Sequence, residues 1–404
     1  MAFNPAEASP IVVVGGGFGG LTAALALSQH HPRPPIVLIE PQDHFVFLPL
    51  LYELLSEEMQ PWEVVSSYPE LVSERGISLL KEQVLKINRI DQHLTTSSGI
   101  RINYSQLVLS TGSVPADFDI PGVKDHAMTF HRLEDIAPLR KLVKTLQREA
   151  KRNVERQPAV VIIGAGPTGV ELACKLADLL KGIAELHLIE MADSILATSK
   201  AFNRQQALKA LKARHVHLHL QTSVEEITAD HVVCNKSQAQ TINTPIDISQ
   251  ETSPCFKLIH AGVIWTAGTK PVTPIIEPPI ELIQGRLLVD ESLQVIDMGQ
   301  VVALGDASTC PEHSWPRTAQ VALQQGKAAA GTVMAMRRKT AAKPFEFKDL
   351  GEMLSLGIGE ATLTGLGVTL SGHLAFKLRR IAYLARMPGF SKGLLSAGAW
   401  FIKP

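Results

Sequence analysis

The stretch IVVVGGGFGG, Ile11–Gly20, decides the fold of this chain because it joins a short β-branched run to a cluster of glycines. The Ala/Leu-rich segment Leu21–Ser28 follows directly and has the composition of a helix. Within the cluster, Gly15, Gly17 and Gly20 satisfy the spacing G-x-G-x-x-G. The first glycine permits a tight turn, the second lets the backbone approach a pyrophosphate, and the third lets helix and strand pack closely. The stretch therefore predicts the strand, turn and helix of a dinucleotide-binding unit.

Further candidate contacts surround these glycines. Phe18 and Gly19 lie just before the predicted helix, whose free N–H groups would face a phosphate. The next strand, Ile36–Ile39, is followed by Glu40, where a carboxylate can accept hydrogen bonds from ribose hydroxyls. The N-terminal part of the chain thus predicts one complete nucleotide site.

The same arrangement occurs again further along the chain. A strand at Val160–Ile163 precedes the turn GAGPTG, Gly164–Gly169, a helix at Val170–Leu180 and a strand at Glu185–Ile189. The candidate contacts of this copy are Gly164, Gly166, Pro167, Thr168, Gly169 and Glu190. One such motif alone can be a glycine-rich turn without a ligand, but two complete copies predict that one chain binds two nucleotides.

Three more apolar runs end in residues that can approach a nucleotide. Gln106–Ser110 and Val263–Thr266 are interpreted as the strands that close each unit, and Val301–Leu304 as a third such strand. The candidate contacts that follow these runs are Thr111, Gly112, Gly268, Gly305 and Asp306. Asp306 can bind a ribityl hydroxyl or cap the following helix, and both interpretations remain open.

Composition predicts a globular chain of two domains with an appendage. The chain has 404 residues, a length that exceeds what a single hydrophobic core usually supports. Its 39 basic and 39 acidic side chains cancel, which argues against a nucleic-acid partner. The four cysteines contain no C-x-x-C pair, so neither a disulfide framework nor a zinc ribbon is predicted, and a reducing compartment is favoured. The N-terminal apolar run is too short for a signal peptide, so we expect the cytoplasmic side of a membrane.

These motifs resemble those of the two-dinucleotide-binding-domain flavoproteins, and more closely the type II NAD(P)H:quinone oxidoreductases. The resemblance runs from about Ile11 to about Thr362. Besides the glycine motifs it rests on FLPLLY at Phe47–Tyr52, GVELA at Gly169–Ala173, GDA at Gly305–Ala307 and TAQVALQQG at Thr318–Gly326. Within the family the chain looks most like the cyanobacterial and plastid branch that reduces demethylphylloquinone in vitamin K1 biosynthesis.

The resemblance implies an α/β fold with two Rossmann-like dinucleotide-binding domains, like that of the pyridine nucleotide-disulfide oxidoreductases, and a C-terminal membrane-association segment. The FAD-binding domain would comprise residues 1–122 and 287–340. The NAD(P)H-binding domain would comprise residues 123–286. Residues 341–404 would form a hairpin and an amphipathic membrane-association region.

The implied reaction is hydride transfer from NADPH or NADH to FAD, followed by reduction of a membrane naphthoquinone, demethylphylloquinone first among the candidates. A general non-pumping respiratory dehydrogenase that reduces plastoquinone is the alternative. Sulfide:quinone oxidoreductase chemistry would need redox cysteines near the flavin, and a non-enzymatic flavin redox sensor is an alternative of another class. No metal site is predicted, because alternating His215, His217 and His219 are interpreted as ordinary strand residues.

Three residues are the catalytic candidates. Glu171 is predicted to lie on the first turn of the second motif's helix, where a carboxylate can be stabilised by the helix end. In the resembling family the matching glutamate is implicated in proton supply, which a raised pKa would allow. Gln320 and Gln324 share a helix face and could bind a quinone carbonyl, or could simply form a polar helix surface.

The residues of the second motif and the family resemblance favour different electron donors. Glu190 suits a free ribose 2′-hydroxyl and repels a 2′-phosphate, which favours NADH. The resembling branch is associated with NADPH, and Lys200 or Arg204 could reach a 2′-phosphate. NADPH is therefore the expected donor on the resemblance alone.

The C-terminal region predicts attachment to a membrane surface. Gly351–Leu370 reads as a hairpin of short strands and Ser371–Met387 as an amphipathic helix. The apolar positions of that helix are Leu374, Leu378, Ile381 and Ala385, and its basic ones are Lys377, Arg379, Arg380 and Arg386. Phe390–Ile402 adds aromatic and aliphatic residues suited to a membrane interface, but it is too short to span. Packing on the chain's own core or in a homodimer is the alternative.

Overall fold

The computed structural model describes residues 9–151, 157–237, 254–365, 367–384 and 386–388. The chain forms two compact units. The first unit comprises Met1–Val46, Val65–Val114 and Thr269–Lys348, and the second comprises Phe47–Val64, Pro115–Gly268 and Asp349–Pro404. The predicted domain boundaries at residues 122, 287 and 341 do not coincide with these units and stay a prediction. The predicted interface segment Phe390–Ile402 lies outside the described residues, as does Ala385.

The helices are of unequal length, and α1, α6, α7, α8, α9 and α10 have ten residues or more. The helices are α1 (Phe18–Ser28), α2 (Leu51–Leu55), α3 (Pro61–Val64), α4 (Tyr68–Val72), α5 (Val123–His126), α6 (Ile136–Ala150), α7 (Pro167–Leu180), α8 (Ala201–Ala213), α9 (Ala319–Arg338) and α10 (His373–Leu384). Single 3-10 turns lie at Leu48–Leu50, Leu133–Asp135 and Gly305–Ala307.

The strands are short, with two to six residues each. The strands are β1 (Ile11–Val14), β2 (Ile36–Ile39), β3 (His44–Val46), β4 (Val65–Ser67), β5 (Ile77–Leu80), β6 (Val84–Asn88), β7 (His93–Thr96), β8 (Arg101–Asn103), β9 (Gln106–Leu109), β10 (Ser113–Pro115), β11 (Ala127–Thr129), β12 (Ala159–Ile163), β13 (Glu185–Ile189), β14 (His217–His219), β15 (Thr222–Ile227), β16 (His231–Lys236), β17 (Cys255–Ile259), β18 (Gly262–Trp265), β19 (Thr269–Pro271), β20 (Ile275–Glu277), β21 (Leu282–Ile283), β22 (Arg286–Leu288), β23 (Val301–Ala303), β24 (Ser308–Thr309), β25 (Glu352–Ser355), β26 (Ala361–Gly365) and β27 (Val368–Gly372).

A five-stranded parallel sheet with the order β23-β9-β1-β2-β5 forms the centre of the first unit. The chain leaves β1 toward β2 on one side and later returns to β9 on the other. In such sheets ligands bind at this switch point, at the carboxyl end of the strands. The first glycine motif lies there. The smaller sheets of this unit include β20-β6-β7-β8 and β21-β22-β24.

The second unit repeats this plan with the parallel order β11-β18-β12-β13-β14. Here β12 lies between β13 and β18, so the second glycine motif also lies at a switch point. An antiparallel sheet, β15-β16-β17, belongs to the same unit. The predicted α/β class with two Rossmann-like sheets is confirmed.

Helices α1 and α9 of the first unit pack backbone to backbone. A Cβ on Gly326 would overlap the Gly19 carbonyl oxygen and would lie 2.9 Å from Thr22 Cβ. A Cβ on Gly19 would overlap the Leu304 side chain and would lie 3.2 Å from the Ala322 carbonyl oxygen. Two glycines at one crossing therefore allow α9 to support the helix that carries the first motif.

Several predicted boundaries differ from the structure. Helix α7 begins at Pro167 instead of Val170, because proline fits the first turn of a helix, where its missing N–H costs nothing. His215 lies outside β14 with a φ of +54°, so only His217 and His219 alternate on that strand.

The C-terminal region is more extensive than the predicted hairpin. It forms a three-stranded antiparallel sheet, β25-β26-β27, and is followed by α10. Within the described residues, no helix combines the length and the apolar character that crossing a membrane requires.

Candidate functional site

The turn after β1 leaves space in front of its second glycine. A Cβ on Gly17 would meet no atom within 4 Å, whereas a Cβ on Gly20 would overlap the Gly15 carbonyl oxygen and Ser110 Oγ. Gly15 has a φ of +91°, in the left-handed region that favours glycine. The three glycines thus have the separate roles that the motif predicts, and the turn fits the pyrophosphate of a dinucleotide such as FAD.

The turn after β12 has the same geometry. A Cβ on Gly166 would meet nothing within 4 Å, and one on Gly169 would overlap the Gly164 carbonyl oxygen and lie 2.8 Å from Thr266 Oγ1. Pro167 and Thr168 form the first positions of α7, whose N-terminal N–H groups face the turn. This turn fits a second dinucleotide.

A carboxylate accepts backbone hydrogen bonds at each glycine turn. Glu40 accepts hydrogen bonds from Gly16 N at 2.6 Å and from Gln42 N at 2.9 Å. Glu190 accepts the equivalent pair from Ala165 N at 2.7 Å and from Ala192 N at 2.9 Å. Both acids are therefore fixed at the strand ends where ribose hydroxyls would bind.

The other predicted contacts lie in fixed turns beside these motifs. Thr111 Oγ1 donates to the Val272 carbonyl, and the Gly112 carbonyl accepts from Val272 N at 3.0 Å. In the second unit the Gly268 carbonyl accepts from Ala116 N at 3.2 Å. Since β9 neighbours β1 and β18 neighbours β12, these turns lie at the carboxyl ends where the glycine motifs also lie.

Asp306 lies in the one-turn helix after β23 and accepts a hydrogen bond from Ser113 Oγ at 2.5 Å. The N-cap of that turn is Leu304, and the N-cap of α9 is Thr318. The interpretation of Asp306 as a helix cap is therefore wrong. Its carboxylate, next to Gly305, remains suited to a ribityl hydroxyl.

Gln325 of α9 is a positioning residue that sequence reasoning missed. Its side chain is buried, and its Oε1 accepts a hydrogen bond from Gly305 N at 2.8 Å. A cavity of about 140 Å³ adjoins this turn, with Asp306, Arg317 and Gln325 among its lining residues. Gln325 lies within the TAQVALQQG motif, but it points about 100° away from Gln324 on the helix and was therefore not among the quinone-binding candidates.

The two predicted quinone-binding glutamines lie on α9 in the first unit. Gln324 Nε2 donates to the Lys348 carbonyl at 2.9 Å, and its Oε1 accepts from Lys348 N at 3.0 Å. Gln320 is partly buried on the same helix face. Gln324 would have to release Lys348 to bind a quinone, and the role of both glutamines stays a prediction.

Glu171, the third catalytic candidate, lies in the second unit. It is the fifth residue of α7, so its placement on the first turn was wrong, and that turn contains no acidic residue. Its Oε1 accepts a hydrogen bond from Ser355 N at 2.6 Å and lies 3.6 Å from Arg379 Nη2. Tyr52 also hydrogen-bonds this carboxyl.

Glu171 belongs to a buried ion cluster built from α2, α7, α10 and the turn after α2. Arg379 of α10 donates to Glu53 of α2, and neither side chain is exposed. Lys175, also fully buried, pairs with Glu58, whose other oxygen lies 4.0 Å from Arg380 Nη2. We call this set the buried ion cluster: Glu53, Glu58, Glu171, Lys175, Arg379 and Arg380.

The electrostatics of the cluster leave Glu171 able to titrate near neutral pH. Burial raises the pKa of Glu171 to about 7, while Arg379 and the Ser355 N–H oppose the rise. Burial also disfavours ionised Glu53, but Arg379 and Lys175 outweigh it and lower the pKa of Glu53. The cluster therefore combines a fixed carboxylate with one that can hold and release a proton.

The cluster corrects one interpretation of the C-terminal helix. Arg379 was assigned to the basic face that attracts lipid, but its side chain is fully buried, and Arg380 is mostly buried. No sequence signal could pair Arg379 with Glu53, because they lie 326 positions apart.

The residues proposed for a 2′-phosphate already have partners. Lys200 Nζ lies 2.9 Å from Asp349 Oδ2. Arg204 donates to the carbonyls of Leu196, Ala197 and Ser199. Both side chains would have to leave these partners to reach a 2′-phosphate.

The histidine and cysteine candidates have ordinary environments. His187 Nδ1 lies 2.9 Å from His219 Nε2, and burial lowers the pKa of His219 to about 4. Among the described residues no group of three or more His, Cys, Asp or Glu is arranged to hold a metal. The four cysteines are free thiols, and burial raises the pKa of Cys174 to about 12, which disfavours its thiolate.

Comparison with known proteins places the chain among the pyridine nucleotide-disulphide oxidoreductases. A family model described as pyridine nucleotide-disulphide oxidoreductase matches residues 9–326. The demethylphylloquinone reductase NdbB of Synechocystis sp. is 35% identical over 98% of this chain and 96% of its own length. The alternative NAD(P)H-ubiquinone oxidoreductase C1, chloroplastic/mitochondrial, of Arabidopsis thaliana is 30% identical over 97% of this chain and 80% of its own length.

A solved structure supports the fold independently. NDH2 from Plasmodium falciparum in complex with NADH has a TM-score of 0.83, with 96% of each chain covered. Its sequence identity is 17%, so the likeness concerns the fold alone.

Proposed function

We propose that this chain, which belongs to the pyridine nucleotide-disulphide oxidoreductase family as a type II NAD(P)H:quinone oxidoreductase, reduces demethylphylloquinone in phylloquinone biosynthesis. The relative that carries this assignment is the demethylphylloquinone reductase, which is similar over nearly the whole chain. The observation that supports quinone chemistry is Glu171, a buried carboxyl with a pKa near 7. Such a group can supply a proton at neutral pH.

The residues of this chain would bind and orient the FAD and the nicotinamide nucleotide, and would protonate the quinone. Bound FAD would accept hydride from the nicotinamide and pass electrons to the quinone. The first glycine motif, Glu40 and Asp306 would hold the FAD, and Gln325 would keep the Gly305–Asp306 turn in place. The second motif and Glu190 would hold the nicotinamide nucleotide. Glu171 would donate a proton to the reduced quinone oxygen and be reprotonated from solvent.

NADPH is the proposed donor, on the likeness to the demethylphylloquinone-reducing branch. Glu190 favours NADH instead, so a 2′-phosphate would require Lys200 or Arg204 to leave its present partners. Comparison of the specificity constants for NADPH and NADH therefore tests the choice of donor directly.

Two measurements test the proposed function. A strain lacking this protein should accumulate demethyl-naphthoquinone, and the purified enzyme should use NADPH with a specificity constant at least equal to that for NADH. A normal naphthoquinone pool would favour the alternative, a general respiratory dehydrogenase that reduces plastoquinone. A tenfold better specificity constant for NADH would overturn the choice of donor.

Peripheral attachment to the cytoplasmic side of a membrane is proposed for the exposed face of α10. Leu374, Leu378 and Ile381 recur there at four- and three-residue spacing and are exposed. A lipid-dissolved quinone gives a reason for such a face, because the enzyme must meet its substrate where it partitions. The predicted homodimer is the competing way to cover this face.

The exposed apolar side chains of α10 should determine liposome binding. We expect Leu374→Ser with Ile381→Ser to reduce co-sedimentation with anionic liposomes at least tenfold, because each side chain loses apolar area that lipid would bury. Ile259→Ser is the matched control, since Ile259 is 60% exposed and Leu374 59%. Equal binding of all variants, or concentration-dependent dimers that the double variant abolishes, would contradict the membrane role. Point variants are preferred to truncation because α10 also contributes Arg379 to the buried ion cluster.

A further inference from the structure

Helix α10 has two unlike faces. Leu374, Leu378 and Ile381 are exposed, whereas Phe376, Arg379 and Tyr383 are buried. A fully buried arginine is unusual, because an unpaired buried guanidinium would be very costly. Apolar packing alone would therefore not require an arginine on the buried face of α10.

Arg379 is fixed from several directions. Its Nη1 donates to Glu53 Oε1, and its Nη2 donates to the Pro49 carbonyl at 2.7 Å. The guanidinium carbon lies 4.8 Å from the centre of the Tyr383 ring. With these contacts in place, the same Nη2 lies 3.6 Å from Glu171 Oε1. The positive charge is thus held beside Glu171 at a defined distance.

Polar and charged groups of three elements face Glu171. Helix α2 contributes Glu53 and Tyr52, α10 contributes Arg379 and Tyr383, and β25 contributes the Ser355 N–H. Burial raises the pKa of Glu171, Arg379 lowers it, and Glu53 raises it by less than Arg379 lowers it. Arg379 and Glu53 therefore act on Glu171 with opposite signs.

We propose that Arg379, held by Glu53, is a positioning residue that sets the charge state of Glu171 during quinone reduction. The buried face of α10 thereby adjusts the proton donor, while its exposed face is available for another surface. The inference rests on the proposed function of Glu171 as proton donor. It assigns to the Glu53–Arg379 pair a role that stability alone does not require, since such pairs are often replaceable by apolar residues.

The test compares Arg379→Met, Glu53→Gln and the double variant, each in the full-length flavin-loaded enzyme. Two readouts are recorded against pH. The first is the infrared carboxyl band that Glu171→Gln removes, which reports the titration of Glu171 directly. The second is the rate at which pre-reduced enzyme reduces a soluble naphthoquinone in a single turnover.

The expected order of midpoints is specific to this inference. Arg379→Met should raise the carboxyl midpoint by about 1–3 pH units, the effect of removing an opposite charge within a few ångströms. Glu53→Gln should lower it, because a neighbouring negative charge is lost and Arg379 is freed. The double variant should lie between the two single variants. Arg379→Lys should restore much of the midpoint, since it restores the charge.

The outcomes separate this inference from the proposed function. Unchanged carboxyl midpoints, or shifts of the same sign in both single variants, would overturn the role of the Glu53–Arg379 pair. If the carboxyl midpoints move in the expected order but the quinone rates do not follow, the effect of the Glu53–Arg379 pair on Glu171 stands, and the proposed function of Glu171 as proton donor is overturned. If Arg379→Met does not fold, Glu53→Gln and Arg379→Lys still decide the sign.

Discussion

Replacing Glu171 with Gln is expected to slow quinone reduction by about 100-fold or more, within the range of a lost general acid. Gln keeps the size of the side chain and can still accept from Ser355 N, but it cannot supply a proton. Reduction of the flavin by NAD(P)H needs no proton from this group and should change by less than about threefold. Stopped-flow measurement of the two half-reactions gives both rates. Equal slowing of both would exclude Glu171 as proton donor.

The pH dependence gives the same prediction a second form. Since burial raises the pKa of Glu171 to about 7, the quinone step of the unmodified enzyme should decline as pH rises through 7. The Glu171→Gln variant should lack that decline. Glu63→Gln is the matched control, because Glu63 is a buried glutamate of the same unit outside the buried ion cluster. A similar loss of the decline in Glu63→Gln would point to a general effect of buried carboxyls.

Misfolding should not explain the loss of rate. The folded protein holds the Glu171 proton more tightly than the unfolded chain between about pH 4.5 and 7. The stability that this group contributes is therefore present at low pH and lost as pH rises through that window. Glu171→Gln cannot ionise and escapes the loss, so its unfolding temperature at pH 8 should equal or exceed that of the unmodified protein.

The second large effect is expected at Gly326, where Ala should destabilise the first unit by about 1–3 kcal/mol, the usual range for an overpacked contact. The added methyl would overlap the Gly19 carbonyl oxygen and crowd Thr22, so α1 and α9 would have to separate. Because α1 carries the first glycine motif, flavin content should fall together with the unfolding temperature. Thermal unfolding and the flavin-to-protein absorbance ratio measure both.

Gly331 on the same helix provides the control. A Cβ there would meet no atom within 4 Å, so Gly331→Ala should stabilise the helix by about 0.5–1 kcal/mol, as is usual for this change in a helix interior. Opposite shifts of unfolding temperature in the two variants are therefore expected. If Gly326→Ala retained its flavin and its stability, close packing of α1 on α9 would not be what fixes the first motif.

Local features of the sequence correctly predicted the strand, turn and helix of both glycine motifs. The glycine spacing, the β-branched strands and the terminal acids gave both motifs, because turn geometry and strand burial depend on neighbouring residues. The boundary of α7 was less accurate, because Pro167, which fits the first turn of a helix, was assigned to the glycine turn instead. That difference moved Glu171 from the first turn to the second and removed the helix-end explanation for its position.

The sequence by itself determined that this chain has two Rossmann-like units, each with a glycine motif between a strand and a helix. Only the tertiary structure decided how Glu171 is surrounded. Glu53, Glu171 and Arg379 come from three helices far apart in the chain, and burial rather than periodicity sets their energies. The sequence made Arg379 a surface residue because its helix is amphipathic, whereas the structure buries it, because a buried carboxylate in α2 compensates its charge.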